Sequence, residues 1–198
     1  MINMQALYRE KLSRVLSIRM PYTPIHWSIA YLFREIKPNL SLPALIVSTA
    51  VPDLEVPFVY LFTGGTLGRL VLHSFLGAVT LATALAVFLT VFIYPPIVSI
   101  IFKLNSKIVR DRCRFSWSLV AVCLLGSFSH VLIDSLHHEY NPLLFPFTYA
   151  SSNALVLMGN WTLASVIVPL SFLALLAFFV LKEVRRGTKN LWARLLVE

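Results

Sequence analysis

Ser129-His130-Val131-Leu132-Ile133-Asp134-Ser135-Leu136-His137-His138 closes an apolar segment that opens at Phe115. A run of this length and composition reads as a helix able to cross a membrane. His130 and Asp134 stand four apart, so on a helix they lie one above the other on a single face. His137, seven beyond His130, and His138, four beyond Asp134, fall near the same stripe. Ionisable groups at membrane depth are costly unless something binds them. A divalent metal ion is the simplest such partner, because imidazole and carboxylate are its usual ligands.

Outward from that stretch, the composition agrees with a membrane setting. The chain has 198 residues, 58% apolar and 13% charged, where soluble domains carry about a quarter charged residues. The mean hydropathy is +0.77. Three more apolar stretches accompany the one ending at about Leu136: Leu40 to about Phe62, Val71 to about Ile93, and Trp161 to Leu181. Ahead of them, Thr23-Pro24 reads as an N-cap with proline at the first helical position. That helix should stop near Lys37-Pro38, about 14 residues or roughly 21 Å, short of the ~30 Å hydrocarbon core. The expected fold is therefore all-α: a polytopic membrane bundle of four transmembrane helices plus a short N-terminal helix, buried or re-entrant.

The domain plan follows from charge. Residues 1–19 form a basic extension, either an amphipathic surface helix or an addition upstream of a start at Met20. Residues 20–181 form the embedded domain, and 182–198 a basic tail whose Asn190–Val197 stretch could be a short surface helix. The net charge of +8 comes from Lys and Arg in loops and tails, a pattern that sets membrane orientation rather than nucleic-acid binding. Lys103, Lys107, Arg110, Arg112 and Arg114 crowd one loop, and 139–160 has neither Lys nor Arg. The expected location is the cell membrane, multi-pass, with a cytoplasmic C-terminus. Cys113 and Cys123 form no metal-type or disulfide pattern.

Two other stretches place ligand-type residues at the same end. Pro52-Asp53-Leu54-Glu55-Val56-Pro57 puts two carboxylates and two prolines inside an apolar run, tolerable where backbone faces protein or a cavity. His73 is expected in the first turn of the next span. Tyr94-Pro95-Pro96 should break or kink that span, and Pro169 the last one. Asn141-Pro142-Leu143-Leu144-Phe145-Pro146-Phe147 should pack on the mouth of the bundle. Asp53 or Glu55 could orient a water or accept its proton, although Glu55 could instead pair with Arg69. His137 and His138 read equally as ligands or as solvated residues at a helix end.

The chain resembles the family of predicted membrane-bound metal-dependent hydrolases called YdjM-like. The matching segments are Thr23-Pro24-Ile25-His26, Pro52-Asp53-Leu54-Glu55, His73-Ser74-Phe75-Leu76-Gly77, Ser129-His130-Val131-Leu132-Ile133-Asp134 and Pro142-Leu143-Leu144-Phe145-Pro146. More distantly, the order resembles zinc-dependent phospholipase C. The resemblance implies His26, Asp53, His73, His130 and Asp134 as metal ligands, with Asp53 and Glu55 in catalysis. It also implies a divalent ion, zinc by expectation. No histidine follows His138, so one or two ions are expected rather than three. The implied activity is hydrolysis of an ester or phosphoester near the outer membrane face. The expected partners are membrane lipids, with a lipid or lipid-linked phosphate as a candidate substrate. A non-catalytic metal-binding protein and a structural membrane protein are the alternatives.

Overall fold

Every described element of the computed structural model is helical, and each long one coincides with an apolar run. The structure describes residues 23–198; the extension 1–19 lies outside them. Helix α1 is Thr23–Ile36. The first span, Leu42–Phe62, is divided into α2 (Leu42–Ser48), a 3₁₀ turn (Val51–Leu54) and α3 (Glu55–Phe62). The second, α4, is Phe75–Ile101. A short α5 (Ser106–Arg112) precedes α6 (Trp117–His137), α7 (Trp161–Arg185) and the terminal α8 (Leu191–Leu196). The Leu42–Phe62, α4, α6 and α7 segments are each long and apolar enough to cross a membrane. No strand occurs among the described residues.

The break in the first span has a chemical cause. Pro52 carries no N–H, so the Ser48 carbonyl loses its helical partner; the Ser127 hydroxyl donates to it at 3.3 Å. The Asp53 N–H then bonds Ala50 O at 3.2 Å in a 3₁₀ step, which leaves Thr49 O for the His130 ring at 2.8 Å. Both freed carbonyls are thus taken by side chains of α6. The two helices come close because Gly126 faces Ser48: a Cβ at Gly126 would overlap Ser48 Oγ. Along α6 the buried residues Leu119, Val122, Cys123, Gly126, Ser127, His130, Asp134 and His137 trace one helical stripe.

Several expectations are corrected. α4 starts at Phe75, so His73 lies just before the helix, not in its first turn. Pro95 and Pro96 do not end it. A widened π turn over Leu89–Ile93 sits directly ahead of them, in the position where the prolines' missing N–H groups would be absorbed, and the helix runs on to Ile101. Pro169, where a kink is expected, lies inside α7. Much of α4 and α7 presents apolar side chains outward, including Phe92, Ile100, Val166 and Leu170, which suits a lipid-facing surface.

α1 runs between the two ends of the bundle. Its first turn carries His26, and its last carries Arg34. In that last turn Glu35 pairs with Lys182 at 2.6 Å, and beyond the helix Ser41 donates to Arg112 O at 2.9 Å. Tyr31 and Tyr94 donate to Leu195 O and Leu196 O at 2.8 and 2.7 Å, docking α8 at this basic end. The 63–74 and 138–160 segments meet at the opposite end, where the Phe75 N–H bonds Leu143 O at 2.9 Å. Leu143 is buried there as expected, while Leu144 and Phe147 are exposed.

Candidate metal centre

α6 supplies His130 and Asp134, the 3₁₀ break supplies Asp53, and the turn before α4 supplies His73. His73 Nε2 lies 3.3 Å from Asp134 Oδ2, 3.7 Å from Asp53 Oδ1 and 3.4 Å from His130 Nε2. His130 Nε2 lies 3.4 Å from Asp134 Oδ2 and 3.6 Å from Asp53 Oδ1. All four residues are buried, and each offers a ligand atom within 4.8 Å of the others. These five separations of 3.3 to 3.7 Å are short enough for one small cation to touch all four residues. The cluster can hold a metal ion.

The far sides of both imidazoles are tied back. His130 Nδ1–H donates to Thr49 O, and His73 Nδ1–H to Glu55 Oε1 at 2.8 Å. Such partners fix the ring and turn Nε2 toward the ion in metal–histidine sites. Glu55 does more than hold one ring. It accepts the N–H groups of Leu70 (2.8 Å) and His73 (3.2 Å) on Oε1, and of Leu72 (2.7 Å) on Oε2. One buried carboxylate thereby folds the 70–73 segment over the site. The turn is closed by Ser74, whose hydroxyl donates to Val71 O at 2.7 Å and accepts from the Gly77 N–H at 2.9 Å. A Cβ on Gly77 would overlap Val71 O.

Without a cation, the site holds a proton at His73. Burial works against that charge, but Asp134, Asp53 and Glu55 outweigh it and hold the ring's pKa up at about 10. The His26 imidazole is pulled below its ordinary value by burial and then by His130 and stays neutral at pH 7.

Asp134 has a second face. Its Oδ1 lies 3.3 Å from His26 Nε2 and 3.6 Å from His138 Nε2. The His26 ring stacks on His130 with centroids 4.0 Å apart, and its buried Nδ1 has no hydrogen-bond partner. Asp134, His137 and His138 form a second buried group of ligand type. Within it, the His137 Nδ1 bonds Ile133 O at 2.9 Å. Arg69 Nη2 donates to His138 Nε2 at 2.8 Å and lies 3.2 Å from Asp134 Oδ2.

Of the five expected ligands, Asp53, His73, His130 and Asp134 converge on one point, while His26 meets the other oxygen of Asp134. Glu55 does not pair with Arg69; its oxygens are given to backbone N–H groups and to His73. His137 and His138 are buried rather than solvated. Sequence reasoning missed the Thr49 carbonyl and the place of Arg69. The signal for Arg69 was present: it is the single Lys or Arg between residues 38 and 102.

A family model described as "Domain of unknown function (DUF4184)" matches residues 20–196, and the chain belongs to that family. No curated protein and no solved structure matches it.

Proposed function

We propose that this member of the DUF4184 family is a membrane-embedded, metal-dependent hydrolase of an ester or phosphoester, with zinc held by Asp53, His73, His130 and Asp134. The observation that carries the reading is the convergence of two imidazoles and two carboxylates within 4.8 Å of one another, with both rings tied back through Nδ1. The likeness to the YdjM-like hydrolases, carried by the same residues, supports it. When bound, the ion would polarise the substrate oxygen and lower the pKa of a water towards ~7. Hydrolysis adds that water across the ester bond: its oxygen joins carbon or phosphorus, and a proton goes to the departing alcohol.

The chain's own residues have distinct tasks in this reading. Glu55 positions His73 and is not free to move a proton. His26, neutral and with Nδ1 uncommitted, is placed to accept one while its other nitrogen steadies Asp134. By the positive-inside rule the basic end faces the cytoplasm, which puts the site near the outer face, within reach of lipid head groups.

One observation favours a second reading. Four protein ligands complete a tetrahedron, as structural zinc sites do, whereas catalytic zinc keeps a position open. Against this stand His26, Arg69 and His138, which a purely structural ion does not need. The test is metal analysis of the purified protein, followed by turnover of a generic phosphodiester and a carboxylic ester. Stoichiometric zinc, lost in both His130→Ala and Asp134→Ala, is expected, together with turnover abolished in the folded Asp53→Asn variant. Wild-type protein without metal refutes the site; metal without turnover of either substrate leaves the structural reading standing.

A further inference from the structure

Among the described residues, Arg69 is the one guanidinium at the end of the bundle that carries the metal centre, and the metal reading gives it no task. Asp134, His137 and His138 form a second buried group of ligand type beside the first, and Asp134 Oδ1 lies 3.6 Å from His138 Nε2. That group resembles half of a two-ion site with Asp134 as the bridging carboxylate. The His138 lone pair, however, already accepts from Arg69 Nη2 at 2.8 Å, and the same nitrogen lies 3.2 Å from Asp134 Oδ2.

We infer that Arg69 replaces the second ion and binds an anionic oxygen of the substrate, so that the substrate class is a phosphate ester rather than a neutral carboxylic ester. The inference rests on the metal reading of the neighbouring cluster. Three features carry it. Asp134 Oδ2, which faces His73 and His130 and would hold the ion, is also 3.2 Å from Arg69 Nη2, so guanidinium and ion would be neighbours. A tetrahedral oxyanion can set one oxygen on each, whereas a neutral ester offers a single carbonyl oxygen and no charge. Further, Arg69 Nε is buried with no hydrogen-bond partner, so the guanidinium retains a donor not spent on protein. Finally, Asp53, Glu55 and Asp134 bring three carboxylates to the site. A divalent ion alone leaves an excess of negative charge that repels an anion, and Arg69 removes it.

Arg69 is anchored from below. The Leu70 N–H beside it is one of the groups held by Glu55, so the backbone that carries the guanidinium also carries His73. Ion and guanidinium are therefore positioned by one carboxylate.

The experiment uses the full chain in detergent, loaded with one equivalent of zinc, and titrates inorganic phosphate by calorimetry. Wild type is expected to bind phosphate. Arg69→Met should keep its zinc and bind phosphate at least about tenfold more weakly, as loss of a charge-assisted pair predicts. Arg69→Lys, which keeps the charge and is the milder change for folding, should also keep zinc and lose affinity, because an ammonium cannot reproduce the fork. Phosphate affinity equal to wild type in either zinc-loaded variant overturns the inference, as does a zinc-loaded wild type that ignores phosphate. Failure of wild type to take up zinc appears in the separate zinc titration and overturns the metal reading on which this one stands.

Discussion

Replacing Glu55 by glutamine isolates what that carboxylate does. The two side chains have the same shape, but one oxygen becomes an NH₂ and the charge is lost. Three donors face Oε1, the N–H groups of Leu70 and His73 and the His73 ring, and the Leu72 N–H faces Oε2. The best placement of the amide keeps its oxygen against the three and turns its NH₂ toward Leu72, donor against donor. A buried N–H left without an acceptor costs about 1–3 kcal/mol, and the remaining bonds lose their charge assistance, so a loss of about 2–4 kcal/mol in stability is expected. His73 loses the anion that orients its ring, and second-layer changes of this kind reduce metal affinity by about 10–100-fold. Zinc competition against a chromophoric chelator reads the affinity, and thermal unfolding of the metal-free protein reads the stability. If Glu55 were instead the general base, Glu55→Gln would abolish turnover and leave zinc affinity at the wild-type value. That result would refute the positioning argument.

Two further outcomes follow from the same turn. Gly77→Ala forces a Cβ against Val71 O, so overpacking of about 1–3 kcal/mol and weaker zinc binding are expected; an unchanged melting temperature and zinc affinity would contradict the close approach. Zinc affinity should also depend on pH. The metal-free site holds a proton on His73, whose pKa is raised to about 10. The zinc-bound form does not hold it, so binding releases one proton and affinity should rise about tenfold per unit from pH 7 towards 9. A zinc titration with no pH dependence across that window would show that His73 is not a ligand. In metal-free protein the sign is opposite: the stabilisation from protonated His73 is complete below about 6.5 and is lost as pH rises through about 10.

The helical class and the spans were legible in the chain alone. Burial along a helix follows from a period of 3.6 that can be counted, so the shared buried face of His130, Asp134 and His137 was legible from their spacing. Asp53, His73, His130 and Asp134 stood out as charged and imidazole groups in or beside apolar runs, and the family resemblance marked them, with His26, as ligands. Their division of labour came only from the folded arrangement. Whether Glu55 reacts or positions depends on which donors reach its two oxygens, and those come from residues 15 to 18 places further along, on backbone N–H groups that no side-chain pattern marks. The Thr49 carbonyl became an acceptor for His130 only because Pro52 forced a tighter turn and Gly126 let the helices meet. Arg69 reached Asp134 and His138 because the 63–74 segment folds back across the end of α6. Local composition fixes what a segment can bury; which atoms then face one another depends on contacts between segments.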